Sequence, residues 1–384
     1  MSLTEELAVP TIVHLVPNSK PKGCGVTDYA IAVCEQTQRL DRSIKTQIVR
    51  VDGCPESTPS DAFAEKFWEK IDGKIKDDIR NVTAIVLHYS GYGYSQDGAP
   101  DWLATAIGDR PQPYSRIPVV TFFHELYATA WPWRRTFWHS RRQRLIAEQL
   151  ATISDSILTN RQVSATWLEE NTPESVEEVR YLPVPSNIGE PSGYVPYQSR
   201  EPIAILFGRN IFKRPFTRGS GATLTTDICR HLGIERIIDI GNQADWNTKA
   251  FEAAGIEIQT PGYLSGEDVL NYMLQARIGF FSYYPDHLEK SGILAAFARC
   301  GVPMIAPRRV NSALAELIQV DHQLHFSRGL LGRDREQIDL ALADTSERLH
   351  RWSLAHCVTK HAQLIINACI DARMQNGFTD LSRC

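Results

Sequence analysis

The sequence lacks any Cys-x-x-Cys pair: its eight cysteines are scattered from Cys24 to Cys384. That pattern excludes the usual zinc ribbon and the thioredoxin-like motif, and in a chain of 384 residues it implies reduced thiols. An excess of one charge is lacking too. Lysine and arginine number 41 against 45 for aspartate and glutamate, a net charge of −4. This excludes a global electrostatic grip on nucleic acid and leaves only a local basic patch. The opening residues, MSLTEELAVPTIVHLV, have no basic, long-apolar leader, so no cleaved export signal is expected. The longest apolar runs, such as Ile203–Phe207 and Ile278–Phe281, fall far short of the ~20 residues of a membrane span. A cytoplasmic protein is the expectation, with peripheral contact on the inner face of a membrane left open.

What the sequence does have is alternation. Strand-like runs at Thr11–Val16, Thr46–Val51, Ala84–His88, Val119–His124 and Ser156–Thr159 are interleaved with helical patterns at Asp28–Leu40, Ala62–Lys70 and Gln143–Ile153. A second series follows. Its strands are Ile203–Phe207, Arg236–Ile240, Glu257–Thr260, Ile278–Phe281 and Pro303–Ala306, with helices at Gly221–Leu232, Ala244–Ala254, Gly266–Gln275 and Gly292–Cys300. Continuous apolar strands joined by helices predict α/β architecture, parallel sheets covered on both faces. Between the series, Tyr181–Arg200 carries four prolines and two glycines in twenty residues and reads as an extended connector. The expected organisation is two Rossmann-like doubly wound domains, 1–183 and 201–384, with a linker at 184–200. The last helical stretch, roughly Asp339–Arg373, is a candidate to cross back to the first domain.

Ligands of open α/β sheets sit beyond the carboxyl ends of strands, and four such corners carry chemistry. After the first strand, Gly23 and Gly25 in KPKGCGVTD let backbone approach a ligand, or simply make a tight turn. After the fourth, His124 and Glu125 in FFHELY can donate to or accept from hydroxyls, or merely finish the strand. After Ile203–Phe207, the run Gly208-Arg-Asn-Ile-Phe-Lys-Arg214 places Arg209, Lys213 and Arg214 beside a turn, where cations can hold a diphosphate or remain solvated surface. Finally, Glu289, Lys290, Ser291 and Gly292 precede a helix whose bare amides favour an anion, or which is only well capped.

In order and position these corners resemble retaining glycosyltransferases of the two-Rossmann (GT-B) kind, especially glycosyltransferase family 4. The resemblance is carried by GCGVTDYA, HELYATAWPWRRTFWHS, PSNIGE, GRN…KR and LEKSGILAAFARCGVPMI, and covers nearly the whole chain. It implies two domains facing each other across a cleft, the second binding a nucleotide-diphosphate sugar (uridine- or guanosine-linked) and the first a carbohydrate or lipid-linked glycan. It maps the diphosphate ligands onto Arg209 and onto Lys213 or Arg214, the family's usual arginine-to-lysine spacing falling on Arg214. The phosphate-side glycines map to Gly23 and Gly25, and the histidine near the transferred sugar to His124. Gly208, Glu289, Lys290, Ser291 and Gly292 join the donor side; Glu125, Tyr127 and Trp131 are the acceptor candidates. One departure stands out: aligned on Gly301 and Pro303, the family's paired glutamates fall on Leu288 and Ala296, so the ribose must be held differently. The resemblance further implies front-face attack with the leaving phosphate taking the acceptor proton, and no cofactor or metal is expected.

The segment Trp131–Arg144, WPWRRTFWHSRRQR, holds five arginines, three tryptophans and no acid. It suits an anionic membrane surface or a lipid-linked pyrophosphate, or else an ordinary helix whose arginines snorkel. Two other functions stay open: a sugar-nucleotide epimerase, and a degenerate member binding nucleotide or glycan as a regulatory or assembly subunit. Nucleic acid is not an expected partner.

Overall fold

The computed structural model describes residues 9–18, 25–55, 59–128, 135–173, 179–307 and 326–376. Backbone contacts divide the chain into two units, Met1–Pro183 with Val358–Cys384, and Val184–Cys357.

The first unit is built on a six-stranded sheet of β1 (Thr11–Pro17), β2 (Lys45–Val51), β3 (Val82–Ser90), β4 (Val119–Glu125), β5 (Ser156–Thr159) and β6 (Val179–Tyr181), in the order β2-β1-β3-β4-β5-β6. Every pairing is parallel. All seven residues of β1 are buried, as expected of a strand covered on both faces. One face packs Leu15, Leu87, Tyr89 and Phe123 against Trp68 and Trp102. The other packs Ile12, Val86, Val120 and Phe122 against Val33 of the helix Gly25–Leu40 and against Ala362, Ile365 and Ala368 of the C-terminal helix Val358–Gln375.

The second unit has a five-stranded parallel sheet of β7 (Glu201–Phe207), β8 (Arg236–Ile240), β9 (Glu257–Gly262), β10 (Ala276–Phe280) and β11 (Met304–Ile305). Its order, β11-β10-β7-β8-β9, reverses direction between β7 and β10. That is the doubly wound Rossmann order, and the reversal is the crevice such sheets offer to ligands. Both units are therefore α/β and Rossmann-like.

Local chemistry explains the boundaries. The helix Gly219–Leu232 stops at Gly233, whose φ of +67° only glycine adopts cheaply, while the amide of Ile234 donates back to the Cys229 carbonyl. The helix Asn210–Thr217 contains Pro215, which sequence rules treat as a breaker, so the pattern did not predict it. Asp101–Gly108, Gln162–Asn171 and the three-residue β6 were likewise not anticipated. The stretch Asp339–Arg373 is two helices, Arg335–Ala355 and Val358–Gln375, parted at His356 (φ −126°, ψ 23°).

The stretch 184–200, read as a linker, is packed as part of the second unit. Buried Arg200 donates to the carbonyls of Val195 (3.0 Å), Ala276 (3.1 Å) and Cys300 (2.7 Å), and the Tyr197 hydroxyl donates to Asp339 (2.8 Å). The helix Val358–Gln375, placed from sequence within residues 201–384 as a candidate to cross back to the first domain, groups with the first unit. No helix of the described residues is long and apolar enough to cross a membrane.

Candidate functional site

In the second unit the third and fourth corners meet at the β7–β10 reversal. Gly208 follows β7 with a φ of +119°, and a Cβ there would lie 2.8 Å from the Ile293 Cδ1 of the helix Gly292–Arg299. Only glycine brings this turn so close to that helix start. Arg209 follows as the residue capping Asn210–Thr217 and is exposed; Arg214, one turn on, is exposed too.

Lys213 is the exception among the predicted cations. Helical phase turns it inward: it is fully buried, and its Nζ donates to Asp239 Oδ1 (2.5 Å) and to the carbonyls of Ile240 (2.8 Å) and Asn242 (2.7 Å). Those three bonds exhaust an ammonium's donors, so Lys213 is not a diphosphate ligand in this structure. Burial lowers its pKa, and Asp239 opposes the shift. Asp239 completes a satisfied network by accepting from the Ala244 amide (2.7 Å) and Trp246 Nε1 (2.8 Å). The network holds the 241–246 turn beside Arg209, where Asn210 Nδ2 donates to the Gln243 carbonyl (3.0 Å). Aromatic rings flank the corner: Phe212 lies 5.0 Å from Tyr283 and 5.2 Å from exposed Tyr284.

Ser291 caps the helix Gly292–Arg299 by accepting from the Leu294 amide (3.1 Å). Gly292 is required by packing, since its Cβ would stand 2.7 Å from that of Asn187. Glu289 and Lys290 are half-buried just ahead of it. The departure at the paired glutamates has a structural counterpart: Leu288 and Ala296 are both buried in the core, so no carboxylate issues from either position.

In the first unit, the candidates at the end of β4 diverge. Glu125 is exposed and accepts from Ser90 Oγ at the end of β3 (3.1 Å). Tyr127 is half-buried, edge-on to Trp167, with the Arg144 guanidinium 4.3 Å over its ring. Gly25 opens its helix, and a Cβ there would meet nothing within 4 Å. Gly23 and Trp131 lie outside the described residues. His124 is buried, and its Nε2 lies 3.1 Å from His88 Nδ1, while His88 Nε2 lies 3.0 Å from His14 Nδ1. The three imidazoles form a diagonal stack across β1, β3 and β4, each two residues beyond the position paired with its neighbour. Ring centroids are 5.3 and 5.4 Å apart. Burial lowers the His14 pKa from 6.5 to about 4, and burial, aided by the flanking histidines, holds His88 well below its usual value. Tyr29 packs edge-on against His88 and His124 and is 2.8 Å from His361 Nδ1. Because His361 Nε2 must donate to the Pro183 carbonyl (2.8 Å), its Nδ1 accepts and the Tyr29 hydroxyl donates.

Asp239, His14, His88 and Tyr29 were missed by sequence reasoning. Each strand residue among them is a lone polar side chain inside an apolar run, which is the signal that could have found them. Buried cysteines are not candidates for reactivity: burial pushes Cys34 and Cys300 up to about 12.

Solved structures share this architecture over nearly the full chain. A proposed UDP-N-acetylglucosamine 2-epimerase from Listeria monocytogenes has a TM-score of 0.54 at 11% identity, covering 97% of this chain and 98% of that one. Anabaena Alr3699/HepE, solved in complex with UDP-glucose, has a TM-score of 0.53 at 13% identity, over 93% and 98%. AviGT4, a glycosyltransferase involved in avilamycin A biosynthesis, has a TM-score of 0.51 at 11% identity, over 95% and 98%. No family model matches the sequence, and no curated protein matches it. At such identities the likeness shows the fold alone: the chain has the GT-B fold, with two Rossmann-like units.

Proposed function

We propose that the chain is a retaining glycosyltransferase whose second unit takes a nucleotide-diphosphate sugar and whose first takes a glycan or lipid-linked glycan. The observation that carries the reading is the meeting of Gly208-Arg209 with the capped start of Gly292–Arg299 at the β7–β10 reversal, with exposed Arg214 further along the helix Asn210–Thr217. Fixed guanidinium forks and a helix N-terminus are suited to a departing diphosphate, whose charge grows in the transition state. Glu289 is the nearest candidate for the ribose hydroxyls, in place of the buried Ala296 position. The reading asks for no resident metal, since the guanidinium groups supply the charge. Two of the similar structures are described as a UDP-glucose complex and a glycosyltransferase, which agrees with it.

The test is nucleotide release from UDP- and GDP-sugars with and without glycan acceptors. Acceptor-dependent release is expected. Acceptor-independent release would point to the epimerase reading, and no release with retained binding to the degenerate one. Arg209→Ala should lower kcat/KM by roughly a hundredfold or more; parental turnover in that variant would defeat the assignment.

A membrane-bound acceptor is favoured by one observation. Trp138 is 73% exposed on the helix Arg135–Thr152, with Arg141 and Leu145 exposed one and two turns further along the same face. Cosedimentation with anionic vesicles at low salt should be strong and should fall on Trp138→Ala; unchanged sedimentation in that variant would remove the membrane reading.

A further inference from the structure

We infer that the outer edge of β2 is a docking site for an acidic peptide in extended conformation, which adds to the six-stranded sheet as a further strand. The doubly wound order 3-2-1-4-5-6 has a strand outside its second one; here β2 is itself the edge. In a parallel pair each strand turns the N–H and C=O of alternate residues to its neighbour. The Lys45 amide donates to the Pro10 carbonyl (2.9 Å) and the Asn18 amide to the Val51 carbonyl (2.7 Å), so residues 45, 47, 49 and 51 serve β1. The backbone groups of Thr46, Ile48 and Arg50 therefore face outward. One of them is taken, since Lys74 Nζ donates to the Arg50 carbonyl (2.8 Å). The N–H and C=O of Thr46 and Ile48 and the N–H of Arg50 remain as a template for pairing.

The chain returns to this edge at 74–77 without closing it. Gln47 clamps the returning segment, its Nε2 donating to the Lys74 carbonyl (2.8 Å) and its Oε1 accepting from the Lys76 amide (3.0 Å). Lys45 and Thr11 both donate to Asp77 (3.4 and 2.8 Å). These ties are made by side chains, so the segment stands off the strand. A cavity of about 700 Å³ is left, lined by Thr46, Ile48, Arg50, Lys74 and Lys76.

Charge selects the occupant. Lys45, Arg50, Lys74 and Lys76 are all exposed around the cavity. The nearby carboxylates are already engaged, Asp52 by Asn18 and Lys74, and Asp77 by Thr11 and Lys45. Arg50 and Lys76 have no carboxylate partner among the described residues. Pairing with the same edge of a second copy sets cations against cations, which is destabilising. A neutral strand gains the backbone bonds alone. An extended peptide with aspartate or glutamate at alternate positions gains both, the backbone supplying affinity and the charges supplying choice. The edge belongs wholly to the first unit and lies along the side of its sheet, so the inference stands apart from the sugar-transfer reading.

The experiment uses the full chain, 15N-labelled, with two synthetic probes of equal charge. One is a capped peptide alternating glutamate with valine; the other is the same sequence N-methylated throughout, which keeps the carboxylates and removes the backbone donors. The first probe should shift the amide resonances of Thr46, Ile48 and Arg50 and slow their hydrogen exchange, and should bind roughly tenfold or more tightly than the second. The double substitution Arg50→Glu/Lys76→Glu should weaken the acidic probe roughly tenfold and favour a probe with lysine in place of glutamate. Gain of the lysine probe, with an unchanged circular dichroism spectrum, shows that the edge is still formed in that variant. Equal binding of the two acidic probes would reveal a contact that any polyanion makes, with no strand added, and would overturn the site. So would unperturbed Thr46–Arg50 amides, the mark of an edge merely blunted by its lysines, or parental affinity in the double variant.

Discussion

At the Gly208–Arg214 corner, one step of helical phase separates an exposed side chain from one that holds the protein up. Arg209 and Arg214 are exposed, whereas Lys213 is sealed against Asp239 with every donor occupied. Removing one partner of a buried ion pair leaves an uncompensated charge. Lys213→Met should therefore cost about 3–5 kcal/mol in urea unfolding, most of it recovered by adding Asp239→Asn. Arg214→Met should stay within about 0.5 kcal/mol. Equal stability of Lys213→Met and the parent would show that the pair carries no structural role. The cations at this corner were legible as a group from residue type and position. Their division was not, because the helix Asn210–Thr217 runs through Pro215 and its phase could not be read from the sequence. The same holds at His124: its place at a strand end was readable, its partners His14 and His88 were not, because they lie 110 and 36 residues earlier and meet only in the sheet.

Among the elements, the helix Val358–Gln375 has the largest consequence. Its buried face, Ala362, Ile365, Ile366, Ala368 and Ala372, closes the core over Ile12, Val86, Val120 and Phe122. His361 and the pair Arg180–Asp371 add polar ties (2.8 and 2.5 Å) to Pro183 and to β6. At about 1.5–3 kcal/mol for each large apolar side chain returned to water, losing this helix approaches the whole stability of a domain. A chain ending at Cys357 should lose hydrogen-exchange protection in β1, β3 and β4 while β7, β8 and β10 keep theirs. Protection retained in β1 would show that the first unit stands without the helix. That the last stretch was helical was clear from its periodicity. Its return to the first unit stood as a candidate, but the split near His356, which leaves the first half with the second unit, was not legible, since the apolar faces of both halves look alike in sequence.

For the molecule as a whole, the histidine ladder makes stability depend on pH. His14 titrates near 4 when folded and near 6.5 when unfolded, and His88 is shifted in the same direction. As pH falls below 6.5 the unfolded chain therefore binds protons that the folded chain refuses, so stability is full above that point and declines toward pH 4. At about 1.4 kcal/mol per pH step, His14 alone accounts for about 3 kcal/mol of the decline. Urea midpoints between pH 7 and 4 should fall accordingly in the parent and less steeply in His14→Leu; a flat profile in the parent would contradict the neutral ladder. The amino-acid order by itself determined the alternation of strands and helices, the two α/β series and the strand-end corners that carry glycine and charge, because these follow from local periodicity and from glycine, proline and charge at strand ends. Only the tertiary structure decided which cation is buried, which strands share the histidines and which unit owns the final helix. Those outcomes depend on sheet order and helix phase, which bring together residues that no local pattern connects.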